Sequence, residues 1–256
     1  VISISPFKPK LARVTTVQGF TLIEMMVVMS IMGILLALTS IGLQAVLGTE
    51  FGSEASDLAN TFVRARAYAM ANNTYVFVGI QEVDASVPTS TAPQTAGNGR
   101  LGVAVVASND GTRGYDSTAP TAIPVAPTTL SVVSPLRRFE NIHLLTTSPI
   151  AAAKLPNQNG STYNVQSTGS LTTFQWPLGG GSGTQYNFGT APGSVIQFNP
   201  QGEAQILPTG TTDDSILKWI ELDLQPTHGK TLPVAVSNAA TILIDGPSGS
   251  VTLYRP

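Results

Sequence analysis

Gly19-Phe20-Thr21-Leu22-Ile23-Glu24-Met25-Met26-Val27-Val28, running on through Met29 to Leu47, sets the frame for the rest of the chain. From Met25 to Leu43 this run holds no charge and no proline. A helix rises about 1.5 Å per residue, so roughly 20 such residues match the hydrocarbon core of a bilayer. The run is read as a membrane-spanning helix over about residues 20–47. Lys8, Lys10 and Arg13 precede it, and Glu24 is the acid at its head. An ordinary secretory signal has an apolar region of about 7–15 residues and an A-x-A-like exit. This run is longer and lacks the exit. A plain anchor does not explain Glu24, because a carboxylate at the head of a hydrophobic helix is costly unless something pairs with it.

Lys8, Lys10 and Arg13, then Gly19, then Phe20-Thr21-Leu22-Ile23-Glu24 and an apolar helix together resemble the class III signal of type IV pilins and pseudopilins. The resemblance implies that a membrane-embedded prepilin peptidase cuts after Gly19 and methylates the new amino terminus at Phe20. For Glu24 it implies a role in filament register. Its carboxylate would pair with the Phe20 ammonium of the next subunit, satisfying two groups that are costly to leave alone in lipid. The implied partners are the peptidase, other pilin-like subunits packed helix on helix, the assembly platform protein with its ATPase, and the membrane. Independently of the family, glycine at a scissile bond hinders least the extended backbone that a protease needs. The basic leader keeps the N-terminus cytoplasmic and sends the remainder outward. The expected location is therefore a single pass of the inner membrane with an extracytoplasmic head, followed by a pilus or a periplasmic pseudopilus. The sequence opens on Val1, which leaves the length of the leader open.

With leader and anchor set aside, the 256-residue chain keeps enough for one soluble domain of ordinary size. Charged residues make up only 11%, and 24 glycines and 18 prolines suit a β-rich, loop-heavy extracytoplasmic head. There is no cysteine, hence no disulfide, thiolate metal site or cysteine nucleophile. Many major type IV pilins close a C-terminal loop with a disulfide, so the resemblance points toward pseudopilins and minor pilins. Cleavage after Gly19 would remove three basic residues and no acid, turning the net charge of −2 into −5. That balance makes a poor nonspecific partner for phosphate backbones, and no nucleic acid is expected. The expected fold is α+β and pilin-like, a long N-terminal helix packed on a β-rich head. Its parts are a leader at 1–19, a helix at 20–72 and a head at 73–256.

After the span, Gly42, Gly48 and Gly52 interrupt the helical pattern, with Gly33 a second candidate hinge or close-packing point. From Ser53, expected as a cap, the pattern turns amphipathic over about 53–72. Ala55, Leu58, Phe62, Ala65 and Ala69 fall on one face, Arg64 and Arg66 lie off it, and Asn72-Asn73 ends it. Tyr75 to Ile80 reads as the first strand. This junction, Ile196 to Gly202 and the closing strands Ile242 to Asp245 and Ser248 to Leu253 are similar to pilin-like proteins of the GspH/FimT type. Leu101 to Ala107 is a strand between loops at 84–100 and 108–128. Leu136 to Leu145 reads as a strand pair broken at Glu140-Asn141, and 154–193 as a long polar insertion, suited to display surface, with weak strand signals such as Leu171 to Trp176. Further strands are expected at Val195 to Asn199, Glu203 to Leu207, Leu217 to Leu224, Ala240 to Asp245 and Val251 to Tyr254. In Leu217 to Leu224 the alternation makes one face apolar and leaves Trp219, Glu221 and Asp223 on a polar one.

Little in the chain points to catalysis. His143 and His228 lie in unrelated segments without metal-ligand spacing, and each reads as a surface or sheet-edge side chain. No G-x-S-x-G elbow occurs. Gly179 to Gly183 lacks the Lys-Ser/Thr of a phosphate loop and reads as a flexible connection. Asp213, Asp214 and Glu203 offer oxygen ligands of the kind calcium takes, but paired acids in a loop are ordinarily solvated. Arg137-Arg138 is the only adjacent basic pair, too little for a nucleic-acid face. Neither a catalytic residue, a cofactor nor a metal is assigned. The expected function is structural, most of all as a minor subunit of a type IV pilus or a type II secretion pseudopilus. The alternative is a membrane-anchored extracytoplasmic binding protein or enzyme using a prepilin-like leader. It would need a pocket with convergent polar groups in the head.

Overall fold

Helix α1, Leu22–Asn72, is one element of 51 residues. The computed structural model describes residues 20–113, 127–150, 162–166, 169–179, 181–208, 215–233 and 238–255, with backbone alone at 37–49, 127 and 182. The expected interruption is absent. The backbone stays helical through Gly42, Gly48 and Gly52, so Ser53 caps nothing and sits exposed within the helix. A glycine in a helix interior costs about 1 kcal/mol but leaves every backbone N–H in place, and no proline occurs here to remove one.

The chain divides into two compact units, Val1–Val46 and Leu47–Pro256. In the first, the described side chains from Leu22 to Leu36 leave the apolar ones exposed, by 46% at Val28 up to 80% at Leu22. Among the described residues no helix is long and apolar enough to cross a membrane. The expected span falls in part on residues 37–47, outside those described in side chain.

In the second unit the predicted stripe is the buried face of α1. Ala55, Leu58, Phe62, Ala65 and Ala69 are all buried. The helix ends as the Asn pair predicts. Asn73 takes the left-handed conformation at φ 49° and the Thr74 amide donates to the Ala69 carbonyl at 3.1 Å. The stripe packs on a nine-stranded sheet. In chain order its strands are β1 (Val76–Asp84), β2 (Gly99–Ser108), β3 (Leu130–Leu145), β4 (Thr162–Asn164), β7 (Gly193–Phe198), β8 (Ala204–Gln205), β9 (Trp219–Pro226), β10 (Ala240–Asp245) and β11 (Val251–Tyr254). A separate hairpin holds β5 (Phe174–Trp176) and β6 (Tyr186–Phe188). The order across the sheet is β11-β10-β9-β3-β2-β1-β7-β8, antiparallel throughout, with β4 pairing parallel to β9. Val76, Val78, Ile80, Ile196, Ile220, Leu222 and Ile242 share the helix-side core with Leu58 and Phe62. Alternate residues along a strand face opposite ways, so Phe77 and Val83 belong to a second core on the other side.

Two sequence expectations are corrected here. Leu136 to Leu145 is not a strand pair but the second half of the 16-residue β3. Asn141, at φ 59°, absorbs an extra residue where Gly99 faces Ile142 and Arg100 faces Glu140, so the strand bulges and continues. The described part of 154–193 is not simply polar display surface. Phe174, Tyr186 and Phe188 are buried against Phe77, Val83, Ala104 and Val195. The sheet makes room with glycines. A Cβ on Gly79 would meet Phe188 and Phe174, and one on Gly102 would collide with the Tyr186 ring. Gly181–Gly183 is a turn of 3₁₀ helix, with the Thr184 hydroxyl donating to the Gly181 carbonyl. Residues 151–161 and 167–168 lie outside the described ones.

Candidate functional site at the N-terminal segment

Gly19 and the basic leader lie outside the described residues, and the description starts at Phe20, whose side chain is exposed. Thr21 is the N-cap of α1 and Glu24 sits three residues on, in the first turn. The two close a reciprocal capping box. The Glu24 amide donates to Thr21 Oγ1 at 3.3 Å, while Glu24 Oε2 accepts from the Thr21 amide at 2.8 Å and from its hydroxyl at 2.9 Å. The first helical bond, from the Met25 amide to the Thr21 carbonyl at 3.2 Å, follows directly. Glu24 therefore has donors within its own chain. Sequence reasoning sought its partner only in another subunit, although Thr21-Leu22-Ile23-Glu24 carries the T-x-x-E signature in plain view. These contacts engage Oε2 and hold the carboxylate at the helix N-terminus, where the macrodipole favours a negative charge.

The other candidate groups serve the fold. His143 is no surface residue. Its Nδ1 lies 2.8 Å from Oε1 of the fully buried Glu82, which also accepts from the amides of Gly99 at 3.1 Å and Leu144 at 3.3 Å. One carboxylate thus ties the ends of β1, β2 and β3 together, and an alternation pattern gives no hint of such a long-range clamp. His228 is exposed and bridges to Thr231 in a tight turn. Arg137 pairs with Asp57 at 2.8 Å and lies over the Phe139 ring, and Arg138 donates to Gln185 at 3.4 Å. Among the described residues no group of three or more His, Cys, Asp or Glu could hold a metal, and Asp213-Asp214 lies outside them. A polar cleft of about 190 Å³ is lined by Tyr75, Arg113, Gln197, Asn199, Glu203, Gln205 and Ile216. Within it the Glu203 carboxylate accepts from Asn199 Nδ2 at 2.5 Å and is held against its own loop.

An apolar helix with a capped acid three residues from its start, leading into a β-rich head, is the arrangement to compare with known proteins. Residues 15–40 match the prokaryotic N-terminal methylation motif. The motif supports a type IV pilin-like protein and indicates a substrate of prepilin peptidase. It implies a membrane-anchored N-terminal segment with an extracytoplasmic head, and assembly with pilin-like subunits. Proteins carrying it are generally structural subunits. Neither the curated proteins nor the solved structures give a significant match.

Proposed function

We propose that the chain is a pilin-like structural subunit, a minor one of the GspH/FimT type, that enters a type IV pilus or a type II secretion pseudopilus. Prepilin peptidase cuts between Gly19 and Phe20 and methylates the Phe20 amine. The chain then waits in the inner membrane, N-terminus cytoplasmic, until the platform protein and its ATPase pass it into the filament. The carrying observation is the exposed apolar surface of α1 over residues 22–36, which joins the methylation motif to the acid at its head. Apolar side chains left in contact with solvent demand either lipid or other helices, and a filament core replaces the first with the second. Glu24 selects the register. Thr21 engages Oε2, and the other oxygen accepts from the Phe20 ammonium of the neighbouring subunit.

The test is the intact mass and N-terminal sequence of the protein expressed in membranes with and without a prepilin peptidase. A peptidase-dependent start at methylated Phe20 is expected. A retained leader, or a cut at another bond, would overturn the reading.

A further inference from the structure

We propose that the polar cleft beside β7 and β8 binds a single saccharide ring, held by the side-chain amides of Gln197 and Gln205 with Tyr75 beside it. The strand register puts the two glutamines there. Gln197 and Gln205 stand opposite each other between β7 and β8, while their neighbours Phe198 and Ala204 belong to the helix-side core. The glutamines therefore lie on the other face, where Phe77 of the second core pairs with Gln197. Gln197 is buried, at 3% exposure, and its Nε2 donates to Gln205 Oε1 at 3.4 Å. The rim is ordered by its own bonds. After β7, Asn199 Oδ1 accepts from the amides of Gln201 at 3.1 Å and Glu203 at 2.9 Å, and its Nδ2 donates to Glu203 Oε2 at 2.5 Å. Gly202, at φ 86°, closes this turn, and Arg66 of α1 donates to its carbonyl at 3.1 Å. A site fixed in advance loses less freedom when it binds.

The lining separates the ligand classes. Among its described residues Arg113 is the only cation and Glu203 the only anion, so neither a multiply charged anion nor a metal ion finds its complement. Tyr75 and Ile216 offer too little apolar surface for a ligand without polar groups. What the cleft does present is donors and acceptors interleaved, since a side-chain amide supplies both. Vicinal hydroxyls, each a donor and an acceptor at once, match that set, and the apolar C–H face of a sugar ring needs the one aromatic neighbour that Tyr75 provides. At about 190 Å³ the cleft is smaller than the roughly 300–1,000 Å³ of a pocket for a drug-sized ligand, which limits it to one ring, free or at the end of a chain. Every lining residue belongs to the unit Leu47–Pro256, so binding does not depend on whether the leader is cut.

The experiment is saturation-transfer NMR on the full chain, in a detergent without a sugar headgroup that would compete. The probes are the methyl glycosides of glucose, galactose, mannose and N-acetylglucosamine, each up to about 20 mM, with trialanine as a peptide probe. At least one glycoside should bind with a Kd on the order of 1 mM, the strength open to so small a ligand on one shallow site. Its ring C–H protons should receive the strongest saturation. Gln205→Leu should weaken binding by at least about tenfold, because it leaves the sugar hydroxyls without their amide. Gln175→Leu, outside the lining, should bind as wild type does. Failure of all four glycosides to bind the wild-type chain would overturn the proposal without recourse to any variant. So would undiminished binding in a folded Gln205→Leu chain. Saturation of trialanine with none of any glycoside would overturn it in favour of a peptide site.

Discussion

Glu24 and Glu54 show how one residue type, 30 positions apart on a single helix, answers to different surroundings. Glu24 is held by Thr21, and two variants separate its capping contact from the part proposed for it in assembly. Thr21→Val removes the hydroxyl that caps the Glu24 amide, costing the helix start about 1 kcal/mol. Hydrogen exchange in micelles should show the Glu24 amide exchanging faster while cleavage continues. Glu24→Gln keeps the shape but not the charge. It should be cut and methylated normally yet enter filaments at least about a hundredfold less, since breaking a buried ion pair costs about 3–5 kcal/mol. Wild-type incorporation of Glu24→Gln would remove the carboxylate from any part in register. Glu54 belongs to the head. Burial, then the charges of Glu50, Glu140 and Asp57, push its carboxyl up to about 7 from an ordinary 4.5. The folded protein therefore holds a proton between about pH 4.5 and 7 that the unfolded chain has released, so stability falls as pH rises across that window. Asp223 acts in the same sense from 3.8 to about 7. Melting should be lower at pH 8 than at pH 5, and Glu54→Gln should recover part of the difference. Glu54 is only half-buried, which limits that recovery to a few degrees.

At the scale of elements, the sequence was readable wherever a local period decided the outcome. Ala240–Asp245 and Val251–Tyr254 are strands with the bounds their alternation predicts. The α1 stripe from Ala55 to Ala69 lies buried as its spacing requires. Reading failed where a distant residue decided. Asn141 signals a turn in isolation, but β2 runs past it on one side and holds β3 extended, so the left-handed residue becomes a bulge. Asn141→Val should cost about 1–2 kcal/mol, because a β-branched residue tolerates positive φ poorly. Phe174 and Phe188 stand in short triplets between glycine-rich turns, and nothing local says that they are core. What makes room for them is Gly79, far earlier in the chain, while Gly102 clears the seat of Tyr186 beside them. The same limit applies to the acids of β9. Alternation identified Glu221 and Asp223 as one face, but only the strands beside them make that face dry. Phe188→Ala would empty the hairpin's seat at a cost of about 3–5 kcal/mol, seen as a melting temperature lower by about 6–20 °C. Loss of near-ultraviolet tyrosine signal should accompany it, since Tyr186 stacks on Phe188 with ring centroids 5.6 Å apart. A melting temperature within a degree of wild type would mean that the hairpin carries none of the second core.

At the scale of the whole molecule, the two units place opposite demands on solvent. Every buried apolar side chain among the described residues lies between Phe51 and Ile244, inside the unit Leu47–Pro256. The described part of the first unit, by contrast, buries none of its apolar residues from Leu22 to Leu36. The head thus owns its core, whereas the N-terminal segment takes its stabilisation from lipid or from neighbouring helices. A chain that begins at Leu47 keeps Phe51, Ala55, Leu58 and Phe62, and with them the surface on which the sheet packs. It also keeps the bonds from Arg255 to the Gly52 carbonyl and Ser56. That chain should be monomeric without detergent, melt cooperatively, and do so within a few degrees of the full-length protein in micelles. It should also fail to enter filaments, because Glu24, the proposed methylation site Phe20 and the exposed apolar helix have all gone. Near-ultraviolet circular dichroism and sedimentation check the first expectation, and co-assembly with full-length subunits checks the second. A truncated chain without fixed tertiary structure would show that the head depends on residues before Leu47. A truncated chain that still assembles would move the filament contacts from the helix to the head.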